Sequence, residues 1–431
     1  MDFDDTPGEA AFRAAARAWI AANAPRHLDA GLAAAAAQTT SSVHPPEIAG
    51  HDPVVISKEW QARKATAGWA CLHWPLAHGG RGASPIQRVI WQQEEGLYAQ
   101  LSHLFVVGHG MAGPTLITHG DAAQQQRFLK PIVSGEAVWC QLFSEPSGGS
   151  DLAGLRTRAT RTGSAAGSAG SGGGGPADWL INGQKIWTTH AQVADWGLLL
   201  ARTDPGVAKH QGLTMFAVDM KTPGVEVRPI RQMTGEHHFN EVFLQDARVP
   251  DACRIGPVGG GWKVALTTLM NERLQLAAAI PTGVPELVAL CCELDTPEGK
   301  PIDDPAVRAR LASWVARQRG LQWTMLRTIS ALSGGRAPGP ENSIGKLVAG
   351  AIAQDLCAFA LDLQGPAGAI IETSGAGRSF QKMLLSAASI RVGGGTAEIQ
   401  RNILAEQVLG LPADLRADKD LPFNEIPTGR N

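Results

Sequence analysis

The spacing of apolar residues changes twice along this chain, and those two changes limit its fold more than any other feature. Up to about residue 138 the spacing is helical, near Trp139 it shortens to strand-like runs, and from Trp262 it is helical again. Thr6-Pro7-Gly8-Glu9 is a capping box with Pro at the first helical position. Phe12, Ala16, Trp19, Ile20 and Asn23 then share one face until Pro25 stops the helix. A second helix opens at Asp52-Pro53 and runs through Trp60, and residues 91–98 and 122–129 read as two more. Between residues 33 and 49 the composition turns to Ala, Ser, Thr and Pro, so a surface loop is expected there.

In the middle stretch, Asn182-Gly183 lies inside residues 179–187 and predicts a hairpin of two short strands. Residues 196–201, 213–220, 225–230 and 239–243 are further strand candidates, each bounded by Gly, Pro or Asp. Short strands at that spacing predict a small barrel or sandwich. Residues 162–178 contain GSAAGSAGSGGGG, offer little to bury, and predict a mobile loop. Helices are then expected at 262–278, 284–294, 305–332, 342–363 and 396–409, with Asn342, Ser343 and Thr396 as caps and Gly410-Leu411-Pro412 ending the last. Helices, strands and helices in 431 residues imply an α+β chain of two or three domains with a substantial core.

Charge narrows the function. Lys plus Arg number 38 against 40 Asp plus Glu, which leaves no broad cationic surface for nucleic acid or anionic lipid. The opening MDFDDTPGE lacks the basic and apolar regions of a signal peptide. No apolar run reaches the ~20 residues of a membrane span, residues 347–363 coming nearest, so no membrane span is expected. The six cysteines show no CxxC pair and no metal-ligand spacing, which predicts reduced thiols, a cytoplasmic protein and no metal site. No strand-GxGxxG-helix unit marks a Rossmann domain.

Two segments carry chemistry. Residues 139–151, WCQLFSEPSGGSD, hold hydroxyls and consecutive small residues whose amides can form a nest for phosphate or ring heteroatoms. Residues 185–190, KIWTTH, place an aromatic and two hydroxyls together. In this order, with GTAEIQR at 395–401 and MTGEHHFNEVF at 233–243, they resemble the acyl-CoA dehydrogenase family over residues 8–415. SEPSGGSD is similar to that family's TEPGAGSD-type signature and KIWTTH to its K-x-W-I-T-N.

The resemblance implies an N-terminal helical domain (1–138), a middle β-barrel or sandwich domain (139–255), a C-terminal four-helix bundle (256–415) and a tail (416–431). It implies FAD, with Leu142, Phe143 and Ser144 at the flavin ring, Gly149 and Ser150 towards the pyrophosphate, and Trp187, Thr188 and Thr189 on the other side of the ring. Thr396 and Glu398 approach the cofactor from the C-terminal segment. The implied reaction is α,β-dehydrogenation of an acyl-CoA by a homodimer or homotetramer, with electrons passed to an electron-transferring flavoprotein. The alternatives are an oxidase of the same fold and a partner subunit of a heteromeric dehydrogenase.

An α C–H beside a thioester is a weak acid, so its removal needs a placed carboxylate and a donor to the enolate oxygen. Many family members carry that Glu just before the G-T of the C-terminal segment, where this chain has Gly394. Other members, of isovaleryl or long-chain type, place it on a helix of the C-terminal domain, and Glu272 in LMNERL matches that position. Glu272 is therefore the expected base, the Gly394 amide the expected donor to the thioester carbonyl, and Arg273 a substrate-positioning residue or a structural ion pair.

Overall fold

The computed structural model describes residues 5–38, 45–162, 178–277, 283–333, 339–370, 376–413, 415 and 418–427. The Gly/Ser insert expected at 164–176 and the side chain of Arg273 lie outside the described residues. The chain divides into two compact units, one of Met1–Trp60, Gly82–His103 and Arg273–Ala413, the other of Gln61–Arg81, Leu104–Glu272 and Asp414–Asn431.

In chain order the helices are α1 (Pro7–Asn23), α2 (Asp29–Gln38), α3 (Pro53–Thr66), α4 (Pro85–Glu95), α5 (Gly113–His119), α6 (Ala122–Ser134), α7 (Gly261–Ala277), α8 (Val284–Glu293), α9 (Pro305–Ser333), α10 (Ser343–Leu363), α11 (Ala376–Val392) and α12 (Ala397–Ile403). The strands, all between α6 and α7, are β1 (Trp139–Leu142), β2 (Arg158–Arg161), β3 (Trp179–Thr189), β4 (Trp196–Arg202), β5 (Leu213–Asp219), β6 (Val225–Ile230), β7 (Phe239–Val249) and β8 (Arg254–Ile255).

The first unit is helical. Thr6 caps α1 and exchanges hydrogen bonds with Glu9, as its sequence requires. Asp29–Gln38 forms a helix where a loop was expected from residue 33 onward, because the alanines of that run are the best helix formers and Leu32 and Ala35 bury against the unit. On α8, α9, α10 and α11, Leu287, Trp314, Ile352, Leu356 and Phe380 belong to one core cluster. A helical segment, Pro340–Leu363, is long and apolar enough to cross a membrane, with a mean hydropathy of 1.5 over its best window. Its Ile352, Leu356, Cys357 and Ala360 are buried in that cluster, which is the other way to satisfy such a segment. Asn342 makes no side-chain cap to α10; its carboxamide oxygen accepts from the Thr328 hydroxyl at 3.0 Å.

The second unit holds one sheet in the order β6-β7-β3-β2-β4-β5-β8, with β1 added parallel to β4. The hairpin expected at Asn182-Gly183 is absent. β3 runs straight through and pairs antiparallel with β2 on one side and β7 on the other. Gly183 answers a close approach, since a Cβ there would stand 2.7 Å from Thr157 Cα. α6 and β1 meet through Phe128, whose ring lies edge-on to both Trp139 and Trp196.

Candidate active site

The second unit brings the two signature segments together. β1 ends at Leu142, and the next two carbonyls are taken at once. Phe143 O accepts from Lys185 Nζ at 3.0 Å, and Ser144 O accepts from Ile186 N at 3.0 Å. Glu145 and Gly148 then exchange backbone hydrogen bonds of 3.0 Å, closing a tight turn. The Glu145 carboxylate turns inward and accepts from Lys185 Nζ at 2.8 Å, Arg156 N at 2.6 Å and Thr157 N at 2.9 Å. Lys185 is completely buried and gives its third proton to Leu200 O at 2.9 Å. Burial opposes the Glu145 carboxylate, yet Lys185 beside it holds it below the ordinary carboxylate range. Burial lowers Lys185 in turn, against the pull of Glu145. The three oxygens around its nitrogen favour the charged form that burial opposes.

Beyond Lys185 the β3–β7 register slips: Lys185 faces Val242 but Thr188 faces Asn240, so three steps on β3 match two on β7. This bulge ejects the next aromatic. Trp187 has φ +60 and is 56% exposed, with its ring edge-on to Phe239. A bulky residue in the left-handed region stores strain that the surrounding strand must hold. Thr188 is buried and its hydroxyl has no hydrogen-bond partner among the described residues, while Thr189 is half-buried. Gly149 and Ser150 follow the Glu145 turn, with Ser150 exposed and their amides outside any backbone hydrogen bond among the described residues.

Glu272 lies on the part of α7 within this unit. Gln141 Nε2 donates to its Oε2 at 3.4 Å, so Glu272 stands against the strand that leads into SEPSGGSD. Sequence reasoning passed over Gln141 and gave no role to Lys185 or Glu145. The available signals were position only, Gln141 two residues before Phe143 and Lys185 opening K-x-W.

The first unit contains the remaining nominated residues. Thr396 caps α12, its hydroxyl accepting from Ile399 N at 3.2 Å, and Glu398 is exposed with Arg401 at 3.6 Å. Gly394 and Gly395 have φ of +65 and +93, a run that side chains rarely tolerate. All three glycine carbonyls are held: Lys346 Nζ donates to Gly393 O and Gly395 O, and Gln400 Nε2 donates to Gly394 O at 3.2 Å. The Gly393 amide donates to Ser389 O at 2.8 Å, whereas the Gly394 amide enters no backbone hydrogen bond among the described residues. Neither Lys346 nor Gln400 was singled out from the sequence, although Lys346 is the one cation in the apolar run of α10.

Comparison with known proteins decides the family. Acyl-CoA dehydrogenase family models match in chain order: the N-terminal domain at residues 6–136, the middle domain at 140–247 and the C-terminal domain at 259–409. The chain belongs to the acyl-CoA dehydrogenase family. It is 39% identical over 370 residues to the acyl-CoA dehydrogenase IpdE1 of Mycolicibacterium smegmatis, covering 85% of this chain and 91% of that one. Among solved structures it resembles the Tcur3481-Tcur3483 steroid ACAD (TM-score 0.75, 25% identity, 96% of this chain and 100% of that one). It also resembles the ChsE4-ChsE5 complex of Mycobacterium tuberculosis (TM-score 0.75, 27% identity, 96% and 100%). The protein is thus an FAD-dependent acyl-CoA dehydrogenase, an oxidoreductase of acyl-CoA catabolism with the three-domain fold of its family.

The residues of the second unit suit FAD. A flat ring needs an apolar or aromatic wall and amide donors, and a pyrophosphate needs N–H groups without competing carboxylates. Trp187 supplies an exposed indole, and the Thr188 hydroxyl is unpartnered among the described residues. The Gly149 and Ser150 amides enter no backbone hydrogen bond among the described residues, the Glu145 carboxylate is turned inward onto Lys185, and the carboxylate of the adjacent Asp151 is paired with Lys209 at 3.1 Å.

Proposed function

We propose that this acyl-CoA dehydrogenase removes the α proton of an acyl-CoA with Glu272 and yields the trans-2-enoyl-CoA. The observation that carries the proposal is the Glu272 carboxylate held by Gln141 beside the signature strand, in a chain whose other base position is Gly394. FAD, when bound, supplies the acceptor for the β hydride. Leu142, Phe143, Ser144, Gly149, Ser150, Trp187, Thr188 and Thr189 hold it, with Thr396 and Glu398 contributing from the C-terminal segment. The Gly394 amide receives the thioester carbonyl, and Arg273 helps to position the substrate. Electrons pass to an electron-transferring flavoprotein, in the cytoplasm, from a homodimer or homotetramer. The domains are those assigned above, divided near residues 138, 255 and 415.

Placing the base on a helix leaves glycine beside the α carbon and leaves room for bulky acyl groups. The likeness to a steroid ACAD favours a ring-bearing acyl chain. A second reading has the chain acting beside a different subunit, which the likeness to the two-component ChsE4-ChsE5 complex favours. Assay of the chain alone with an artificial acceptor separates the two.

Glu272→Gln keeps the volume and removes the base. It should slow flavin reduction by roughly 10²–10⁴ while FAD still binds. Stopped-flow bleaching with a panel of straight, branched and ring-bearing acyl-CoAs measures both the substrate class and this loss. A variant that bleaches at the parent rate would overturn the assignment of the base.

A further inference from the structure

The Gly393 carbonyl and the Gly394 N–H belong to one peptide group. A cation bound at the carbonyl end fixes the plane of that group and draws electron density from its nitrogen, which makes the N–H a stronger donor. Lys346 Nζ is that cation, and it also binds Gly395 O. We propose that Lys346 is a positioning residue for the reaction: it aims and polarises the Gly394 amide towards the thioester carbonyl. The inference rests on the reading of Gly394 given above and adds the residue that makes the amide effective.

Three features support it. Lys346 holds the carbonyls of the residues before and after Gly394, so one ammonium fixes the peptide that carries the Gly394 N–H and anchors the chain again at Gly395. Gln400, nearly fully buried, holds the carbonyl between them at 3.2 Å, so the loop cannot turn an oxygen towards the substrate. A donor aimed in advance at the developing enolate oxygen needs no reorganisation as the proton leaves. Gly395, with φ +93, would carry a Cβ 2.7 Å from Gln400 Nε2, so the loop has this form only with glycine there. The cradle is built from Lys346, Gln400 and glycine together.

The test uses holoenzyme whose flavin has been reduced with dithionite, so that no hydride can leave the substrate. The ligand is the acyl-CoA that bleaches the parent flavin fastest, labelled with ¹³C at the thioester carbonyl. Isotope-edited infrared spectra are taken for the parent and for Lys346→Met, Lys346→Gln and Lys346→Arg. In the parent the carbonyl band should move to lower wavenumber on binding. The displacement should shrink in the Met and Gln variants and persist in the Arg variant. Flavin reduction should slow about tenfold in Lys346→Met, short of the ~10²–10³ lost with an entire donor, while the substrate Kd changes much less.

The Gln variant keeps a donor without the charge, so a loop disturbed by lost hydrogen bonds is told apart from lost polarisation. A full displacement retained in Lys346→Met overturns the role of Lys346 and leaves that of Gly394 standing. No displacement in the parent overturns the reading of Gly394 itself. An Arg variant that behaves like the Met variant overturns the argument from charge.

Discussion

Two loops of this enzyme are each fixed by one lysine, and the lysines are placed in opposite ways. The turn after β1 is held by Lys185, wholly buried and paired with a carboxylate. The glycine loop after α11 is held by Lys346, half-buried and bonded to peptide oxygens. A buried ammonium loses its hydration, and at Lys185 a formal negative charge with two further acceptors makes up for it. A half-exposed one keeps some water and can offer its field to a peptide group. The same side chain is therefore a structural element in one loop and a chemical one in the other.

Lys185→Met should break the comparison most visibly. It leaves Glu145 buried with two amide donors and no cation, and the expected loss is about 3–5 kcal/mol of folding stability. Lys346→Met should lose less, about 1.5–3 kcal/mol, the usual net worth of hydrogen bonding from a charged group. Urea unfolding of the two variants under one set of conditions measures both, and equal losses would erase the distinction.

The pH dependence sharpens it. In the parent, Glu145 titrates below its unfolded value, so its contribution is complete above that value and is lost as pH falls through the folded one. In Lys185→Met the uncompensated burial raises the carboxyl instead, so acid relieves the variant. The stability gap should be widest at neutral pH and narrow below about pH 4, near the ordinary carboxylate range. A gap that is constant with pH would mean that Glu145 is not the group left stranded.

The difference also explains what the sequence disclosed. Both signature segments and the order of helices and strands were legible, because they rest on residue type and local spacing. The partners were not. Lys185 is satisfied internally by Phe143 O, the Glu145 carboxylate and Leu200 O, contacts between residues 42, 40 and 15 apart in the chain. Asn182-Gly183 carries a strong local hairpin signal, and Thr157, packed against Gly183 from a neighbouring segment, overrides it. β2, the four residues Arg-Ala-Thr-Arg, is too short and too charged to read as a strand until its pairing to β3 is seen. Gln141 next to Glu272 and Lys346 next to the glycine loop are likewise long-range facts.

A third cation gives an intermediate case. Arg202 is buried, has no carboxylate bonded to it among the described residues, and donates to Leu155 O, Ala153 O and Lys209 O. Burial pushes it down to about 10, still charged at neutral pH. Phe423 of the C-terminal tail covers it, with the guanidinium carbon 3.5 Å from the ring centroid. The tail is also held by Phe423 N to Val207 O at 2.9 Å and Asn424 N to Pro205 O at 3.0 Å. Phe423→Ala should remove the ring and admit water to the guanidinium, lowering stability by about 1–2 kcal/mol. Limited proteolysis should then cut the tail sooner than in the parent. An unchanged melting curve would mean that the three carbonyls suffice for Arg202.

The smallest effect is expected at the joint between β2 and β3. β2 and β3 are joined through residues 163–177, and the joint is closed just outside them. Thr162 N and Thr162 Oγ1 both donate to Asp178 O, at 2.8 and 3.0 Å, and Arg161 pairs with Trp179 in register. The ends are thus placed by the ladder and need no help from the insert. Replacing 163–177 with a four-residue turn shortens the loop about fourfold. Each halving recovers about 0.6 kcal/mol of closure entropy, so a gain of about 1 kcal/mol is the upper limit, reduced by any strain in the new turn. Calorimetry should therefore show a melting temperature equal to the parent's or a few degrees higher, with flavin reduction unaltered. A fall of several degrees would show that the insert packs on the sheet. The second unit would then be held by contacts beyond the ion pair and ring described above, and its contrast with the glycine loop would be weaker.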